Sequence, residues 1–482
     1  MTSRDPSASG PHSRPVPESG RTPADARRAF GPRVISGQLA RAFGWAFAWA
    51  RPAPVVPATP TQDRANGGQP LHLRPAFWVT IVLLGLGAYR ISAIVHRAFM
   101  AYPKATAVAI GLFLVYAVPF VLLVRVIDYL EREPLLLQVT AVAWGGFVAT
   151  SAAISGSAAL QDILAKLGSP RFAADWGPAI GGAALEEILK VLGVVIIALL
   201  ARSQINSMVD GFVYGALVGL GFQVVEDVVF AVNAVAVSSG SDQVGPVIGT
   251  FLLRGFLGGL WSHTLFTALS GAGVAYFLVR RDRSLGARTA VAAVLFLVAW
   301  GFHFLWNSPL LGDGFGYGIV GLIGVLLVKG IPALLVGVVL IVAAEQREAD
   351  YYAAMLAALA DSRVATPDEI RALVSPLRRF AARRRARLRL GWAGGRAVRR
   401  LQRAQARLAV AVSRDPAAEV TRRRREVLTR RHHLLALGLA AGTGPVRRAT
   451  VLTAAATVLA ELATVAALVL GVGLAIRAFG GA

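Results

Sequence analysis

The chain has 482 residues, 55% of them hydrophobic, with a mean hydropathy of +0.58 and a formal net charge of +23. Several apolar runs exceed the roughly 18 residues that mark a membrane helix, so a soluble α/β domain has little support. Cysteine is absent, which excludes disulfides, thiol catalysis and thiolate metal sites.

In chain order, residues 1–74 are rich in Pro, Ser, Gly and Arg and read as a disordered N-terminal region. Within it, residues 33–50 interleave Phe43, Trp45, Phe47 and Trp49 with Arg33 and Arg41, a pattern suited to a helix on a membrane surface. Apolar spans follow at 76–96, 105–125, 135–159, 178–200, 208–235, 246–279, 290–308, 316–344 and 449–475. The run at 246–279 exceeds the ~20 residues needed to cross, so it is expected to be tilted, kinked or partly outside the membrane.

The expected fold is therefore all-α: a polytopic bundle of about nine transmembrane helices. Residues 75–346 form an eight-span core, 347–448 a basic helical segment and 449–482 a last span. Between 347 and 448 there are 24 Lys and Arg against 8 Asp and Glu. Positive charge beside membrane helices marks the cytoplasmic side, which puts the N-terminus and the basic segment inside and the C-terminus outside. The reading is a multi-pass protein of a bacterial plasma membrane. Leu388, Leu390 and Trp392 among the arginines suit helices lying on anionic lipid. Nucleic acid is a weaker expectation, because no recognisable motif accompanies the charge.

Four spans carry ionisable groups where a charge is costly. EEILK, 186–190, places Glu186 and Lys190 one turn apart, with Glu187 about 100° away. Lys190 is one of only four lysines in the chain. GFVYGALVGLGFQVVED, 211–227, carries Glu226, and its glycines at 211, 215 and 219 are expected to serve helix packing. WSHTLFTALSG adds His263, and HFLWN adds His303 with Asn307 one turn on. Each group alone has a bland reading as a paired or hydrogen-bonded packing residue. Together, two histidines and a carboxylate suit zinc with one position open for water. A further carboxylate can act as base on that water, and Asn307 or Lys190 can stabilise a developing oxyanion. No suitable Ser–His pair lies in the spans.

At these motifs the chain resembles the PrsW family of intramembrane metalloproteases, within the CAAX-protease and bacteriocin-processing superfamily. The resemblance runs through DYLEREP (128–134), EEILK, DGFVYGALVGLGFQVVE (210–226), SHTLFTALSG (262–271) and HFLWN. It implies a site of Glu186, Glu187, Glu226, His263 and His303, and an endopeptidase acting on membrane-anchored regulatory proteins such as anti-sigma factors. Within it, His263, His303 and Glu226 read as zinc ligands, Glu186 or Glu187 as base, and Lys190 as charge balance. A water activated by glutamate alone is the alternative to zinc. Asp227 stands where the family often has Asn. The rival functional class is a proton- or ion-coupled transporter using the same groups as a relay, although no inverted repeat is visible.

Overall fold

The computed structural model describes residues 70–439, apart from 129, 131, 239–240, 311–317 and 415–416. The proposed surface helix at 33–50 and the proposed span at 449–475 lie outside the described residues.

Among the described residues the fold is all helix, without a strand. Proline at the first helical position, where its missing N–H is no loss, starts α1 (Pro75–Ala101) and α2 (Pro103–Ile127). The third span, Leu135–Leu167, is α3, widened at Trp144–Ala149 into a π-turn. A short α4 (Pro170–Gly177) is capped by Ser169, whose side chain accepts from the Phe172 amide. It runs through a π-turn, Pro178–Gly182, into α5 (Ala183–Leu200). Then come α6 (Met208–Ser238), the short α7 (Gly245–Thr250), α8 (His263–Val279), α9 (Leu285–Asn307) and α10 (Gly318–Ala358). Seven of these helical runs are long and apolar enough to cross a membrane; α5, with three charged residues in 18, is the eighth apolar helix of the core.

Of the tilt, kink or protrusion expected for the overlong run at 246–279, the structure shows a break. After α7 the chain passes through a π segment, Phe251–Gly258, and a single 3-10 turn, Gly259–Trp261. Ser262 is off the helical backbone at φ −114°, ψ −139°, and α8 starts afresh at His263.

Helix α6 is the central element; Met208 to Gln223 are buried on all sides among the neighbouring helices, while its last turns are partly exposed. Its glycine face allows α8 to lie backbone to backbone. A Cβ on Gly211, Gly215 or Gly219 would fall 2.3, 2.2 and 2.3 Å from the carbonyl oxygens of Gly271, Thr267 and His263. The small residues are thus packing contacts, and they fix the depth of His263 against α6.

The basic segment folds as well. Helix α10 runs on to Ala358, and α11 (Pro367–Leu373), α12 (Pro376–Arg414) and α13 (Ala417–Ala436) follow. Thr366 and Glu369 form a reciprocal capping box at α11. Helix α12 bends at Leu390 and Gly391, the latter at φ +57°. Tyr352, Leu356, Ile370, Leu373, Val398, Leu401, Leu408, Val427 and Leu434 share an apolar core of their own. Leu130, from the loop between α2 and α3, enters that core and joins the unit to the bundle.

Candidate active site

Four helix segments bring the intramembrane polar residues together. Glu186, Glu187 and Lys190 lie in the first two turns of α5, just after the π-turn. Glu226 sits in the middle of α6, His263 is the first residue of α8, and His303 and Asn307 occupy the last turns of α9.

Lys190 is wholly buried. Its ammonium lies 2.7 Å from Glu187 Oε1, 3.7 Å from Glu186 Oε2 and 2.9 Å from His263 Nδ1, with its Nζ 4.3 Å from the Phe222 ring centroid. His303 Nδ1 is 2.9 Å from Glu187 Oε1, and its Nε2 is 3.1 Å from the Asn307 amide nitrogen, which also donates to Pro178 O at 3.3 Å. His263 Nε2 is 2.9 Å from Glu226 Oε2. The two imidazoles meet edge to face, their centroids 4.8 Å apart, and Phe266 stacks on His303.

The gap between the histidines is filled by one atom. Glu186 Oε2 lies 3.7 Å from His303 Nε2 and 4.0 Å from His263 Nδ1, and it has no hydrogen-bond partner. Glu186, His263 and His303 each offer a ligand atom within 4.8 Å of the others. Tetrahedral zinc with bonds of about 2.0–2.1 Å needs its ligands roughly 3.3 Å apart, so a small inward movement closes the set. The second ring nitrogen of each histidine is held by a carboxylate, Glu226 for His263 and Glu187 for His303. That is the outer support a metal-binding histidine needs for its tautomer and orientation. Formal charge agrees: Glu186, Glu187, Glu226 and Asp227 exceed Lys190 and Arg254 by two when all are ionised, the charge of a divalent ion. The residues present fit a metal.

All seven residues singled out from the sequence therefore converge. Glu226, expected among the ligands, stands outside the three-residue group in this structure and holds His263 from the far nitrogen instead. The site is not fully closed: side-chain exposure is 10% at Glu186 and 15% at Glu226, against none at Glu187 and His303. The opening is on the Glu186–Glu226 edge.

Two contributors were not singled out from the sequence: Arg254, outside every motif, and Gln223, within the 210–226 motif. Arg254, in the π segment, places Nη2 2.6 Å from Glu226 Oε2 and Nε 2.6 Å from Asp227 Oδ1, its guanidinium 3.9 Å from the Phe230 ring centroid. Asp227 thus has a cationic partner that an Asn would not need. The signal was available, since Arg254 is the only Asp, Glu, Lys or Arg between Gly245 and Val279. Gln223 lies one turn before Glu226 on α6. Its Oε1 accepts from the Thr264 N–H (3.3 Å) and hydroxyl (2.9 Å), and its amide donates to Gly259 O at 3.3 Å and to the Tyr116 hydroxyl. It stitches both ends of the break before His263, satisfying an amide that the new helix start leaves open.

A largely buried cluster of three glutamates, two histidines and a lysine, carried by broken helices inside an apolar bundle, defines the class: a membrane protein equipped for hydrolysis within its own helices. Comparison with protein families makes the assignment specific. Residues 133–358, just under half the chain, match the family model of the PrsW family intramembrane metalloprotease, so this core is similar to a family of peptide hydrolases. The match begins at Glu133 and ends with α10, so it takes in every site residue. Neither the curated proteins nor the solved structures yield a match.

Proposed function

We propose that the chain is a zinc-dependent intramembrane endopeptidase that cuts membrane-anchored regulatory proteins of the anti-sigma-factor kind. The observation that carries the catalytic part is Glu186 Oε2, which accepts no hydrogen bond and lies between His303 Nε2 and His263 Nδ1. Glu186, His263 and His303 would hold the ion, which would polarise the scissile carbonyl and lower the pKa of a water at the site. Glu226, braced by Arg254, keeps His263 turned toward the gap. Glu187 does the same for His303, and with Oε1 anchored by Lys190 and His303 its free Oε2 serves as the base. Lys190 balances the glutamates and gives up His263 Nδ1 when that nitrogen is used as a ligand. Asn307, now bonded to His303 Nε2, is the donor for the substrate oxygen as charge develops.

In the orientation read from the loop charges, the site lies in the extracytoplasmic half of a bacterial plasma membrane. The N-terminus and the basic unit then face the cytoplasm. The basic unit would rest on anionic lipid: Leu388, Leu390 and Trp392 are exposed at the bend in α12, with Arg387 stacked 3.3 Å from the Trp392 ring centroid. Transport is not favoured by the family assignment.

The test is reconstitution of the full chain with a single-span anti-sigma factor in liposomes. Cleavage within or beside the span, lost on chelation and restored by zinc, is the expected result. Uptake of an ion or proton without cleavage would refute the reading.

A further inference from the structure

Lys329 is the only charged residue of α10 before Glu345 and one of four lysines in the chain. It lies outside every motif above and is buried. Its ammonium reaches past the end of α9, donating to Ser308 O at 3.0 Å and Trp306 O at 3.4 Å. Carbonyls at a helix C-terminus have no partner within the helix, and in an apolar medium no water supplies one. A cation there also complements the helix dipole. The turn so closed is the one that carries Asn307, one turn beyond His303.

The same face of α10 backs the other histidine. A Cβ on Gly330 would fall 2.4 Å from the Trp261 ring, and one on Gly337 would fall 2.4 Å from Leu265 Cδ1. Trp261 and Leu265 stand two residues before and two after His263. Gly330 and Gly337 are two turns apart, so one stripe of α10 receives both flanks of the histidine. Trp306 in turn lies over Gly258, where a Cβ would be 3.1 Å from its ring, in the broken segment that leads to His263.

We propose that Lys329 is a positioning residue for the Glu/His cluster, fixing the end of α9 so that His303 and His263 face Glu186 across a constant gap. The inference builds on the site assignment above but concerns geometry that exists without metal or substrate. The rival is a purely structural lysine, contributing to fold stability alone.

The absence of cysteine offers a clean test in the full-length protein. Trp176 and Phe304, with rings 6.1 Å apart, lie outside the cluster and report where the end of α9 sits against α4. In a Trp176→Cys/Phe304→Cys background, cross-linking by a short bifunctional thiol reagent should slow about fivefold in Lys329→Met. Zinc affinity of the same substitution in the otherwise native chain should fall about tenfold, the size of effect typical of outer supports. Lys329→Arg, which keeps donors, should recover most of both. A folded Lys329→Met chain with native cross-linking and native zinc affinity would overturn the proposal. So would equal losses in Met and Arg that simply track the melting temperature. Should Lys329→Met fail to fold, Lys329→Gln takes its place, and native values there overturn it equally. A wild-type chain that takes up no zinc would count against the metal assignment, while the cross-linking rates still decide the role of Lys329.

Discussion

The membrane core and the basic helical unit use charge in opposite ways. In the core, Glu186, Glu187, Lys190, Glu226, Asp227 and His303 point inward, and glycines let helices approach until backbones touch. In the basic unit, alanines and leucines fill the interior, and most arginines face outward from α12 and α13. An inward charge in lipid needs partners at fixed distances, so the core is built with broken helices, π-turns and tight contacts. An outward charge needs only water, and regular helices suffice. The contrast implies that small changes are severe in one region and tolerated in the other.

The largest effect is expected at the cluster. Glu187→Ala or His263→Ala should abolish proteolysis while the protein still inserts and runs as a folded species in size-exclusion chromatography. Retained cleavage in either purified variant would break the assignment.

Matched glycine substitutions sharpen the comparison next. Gly219→Ala places a methyl group 2.3 Å from His263 O, so the start of α8 must move. A displacement near 1 Å at a reacting group costs on the order of a hundredfold in rate, and kcat should fall accordingly. Gly395→Ala in the basic unit meets nothing closer than 3.5 Å, from Arg387 Cβ, and should raise stability by about 0.5–1 kcal/mol in a melting experiment, the ordinary gain of Ala over Gly inside a helix. Equal tolerance at both positions would erase the distinction between the regions.

Arg254→Met should act more mildly than loss of a ligand. It leaves Glu226 and Asp227 without their cation, and zinc affinity should drop by about 10- to 100-fold in a chelator competition. An unchanged affinity would make Arg254 a packing residue only.

The smallest effect is expected at the junction of the two regions. Asp128, at the end of α2, accepts from the Glu133 N–H at 3.1 Å, two residues before Leu130 enters the second core. Burial first, and then the nearby Asp210, push its carboxyl up from 3.8 to about 7, against the opposing pull of the Glu133 N–H, Arg132 and Arg403. A raised folded value means the native loop holds its proton more tightly than the unfolded chain. Its contribution is complete below about pH 4 and is lost as the pH rises through about 7. Amide exchange in the loop should therefore show declining protection between about pH 5 and pH 8, beyond the intrinsic change in exchange rate. Asp128→Asn should flatten that decline.

How much of this was readable beforehand follows the same division. The core announces itself, because an ionisable residue in an apolar run is anomalous and the anomalies at 186–190, 226, 263 and 303 recur on separate spans. The glycine spacing on α6 was equally plain, and the length of the 246–279 run called for a tilt, a kink or a part outside the membrane, of which the structure shows a break before His263. The partners of the anomalies carry no local signal: Arg254 and Lys329 are single charges in long spans, and nothing nearby in sequence says which carboxylate or carbonyl they meet. The grouping of Glu186, rather than Glu226, with the histidines depends on how α5 turns after its π-turn, which no pattern encodes. In the basic segment, arginine density masks the alanine and leucine periodicity that builds the second core. The exposed Leu388 and Trp392 stood out, while the buried Leu401 and Leu408 did not.

Zinc content measured alongside cleavage tests the central claim most directly. The full-length protein, purified without added metal and compared with Glu186→Gln, His263→Ala and His303→Ala, should retain one zinc per chain only in the wild type. Cleavage of the reconstituted substrate should disappear on chelation and return with zinc. Full cleavage by a chain shown to be metal-free would contradict the account and leave the Glu186 carboxylate itself as the group that activates the water.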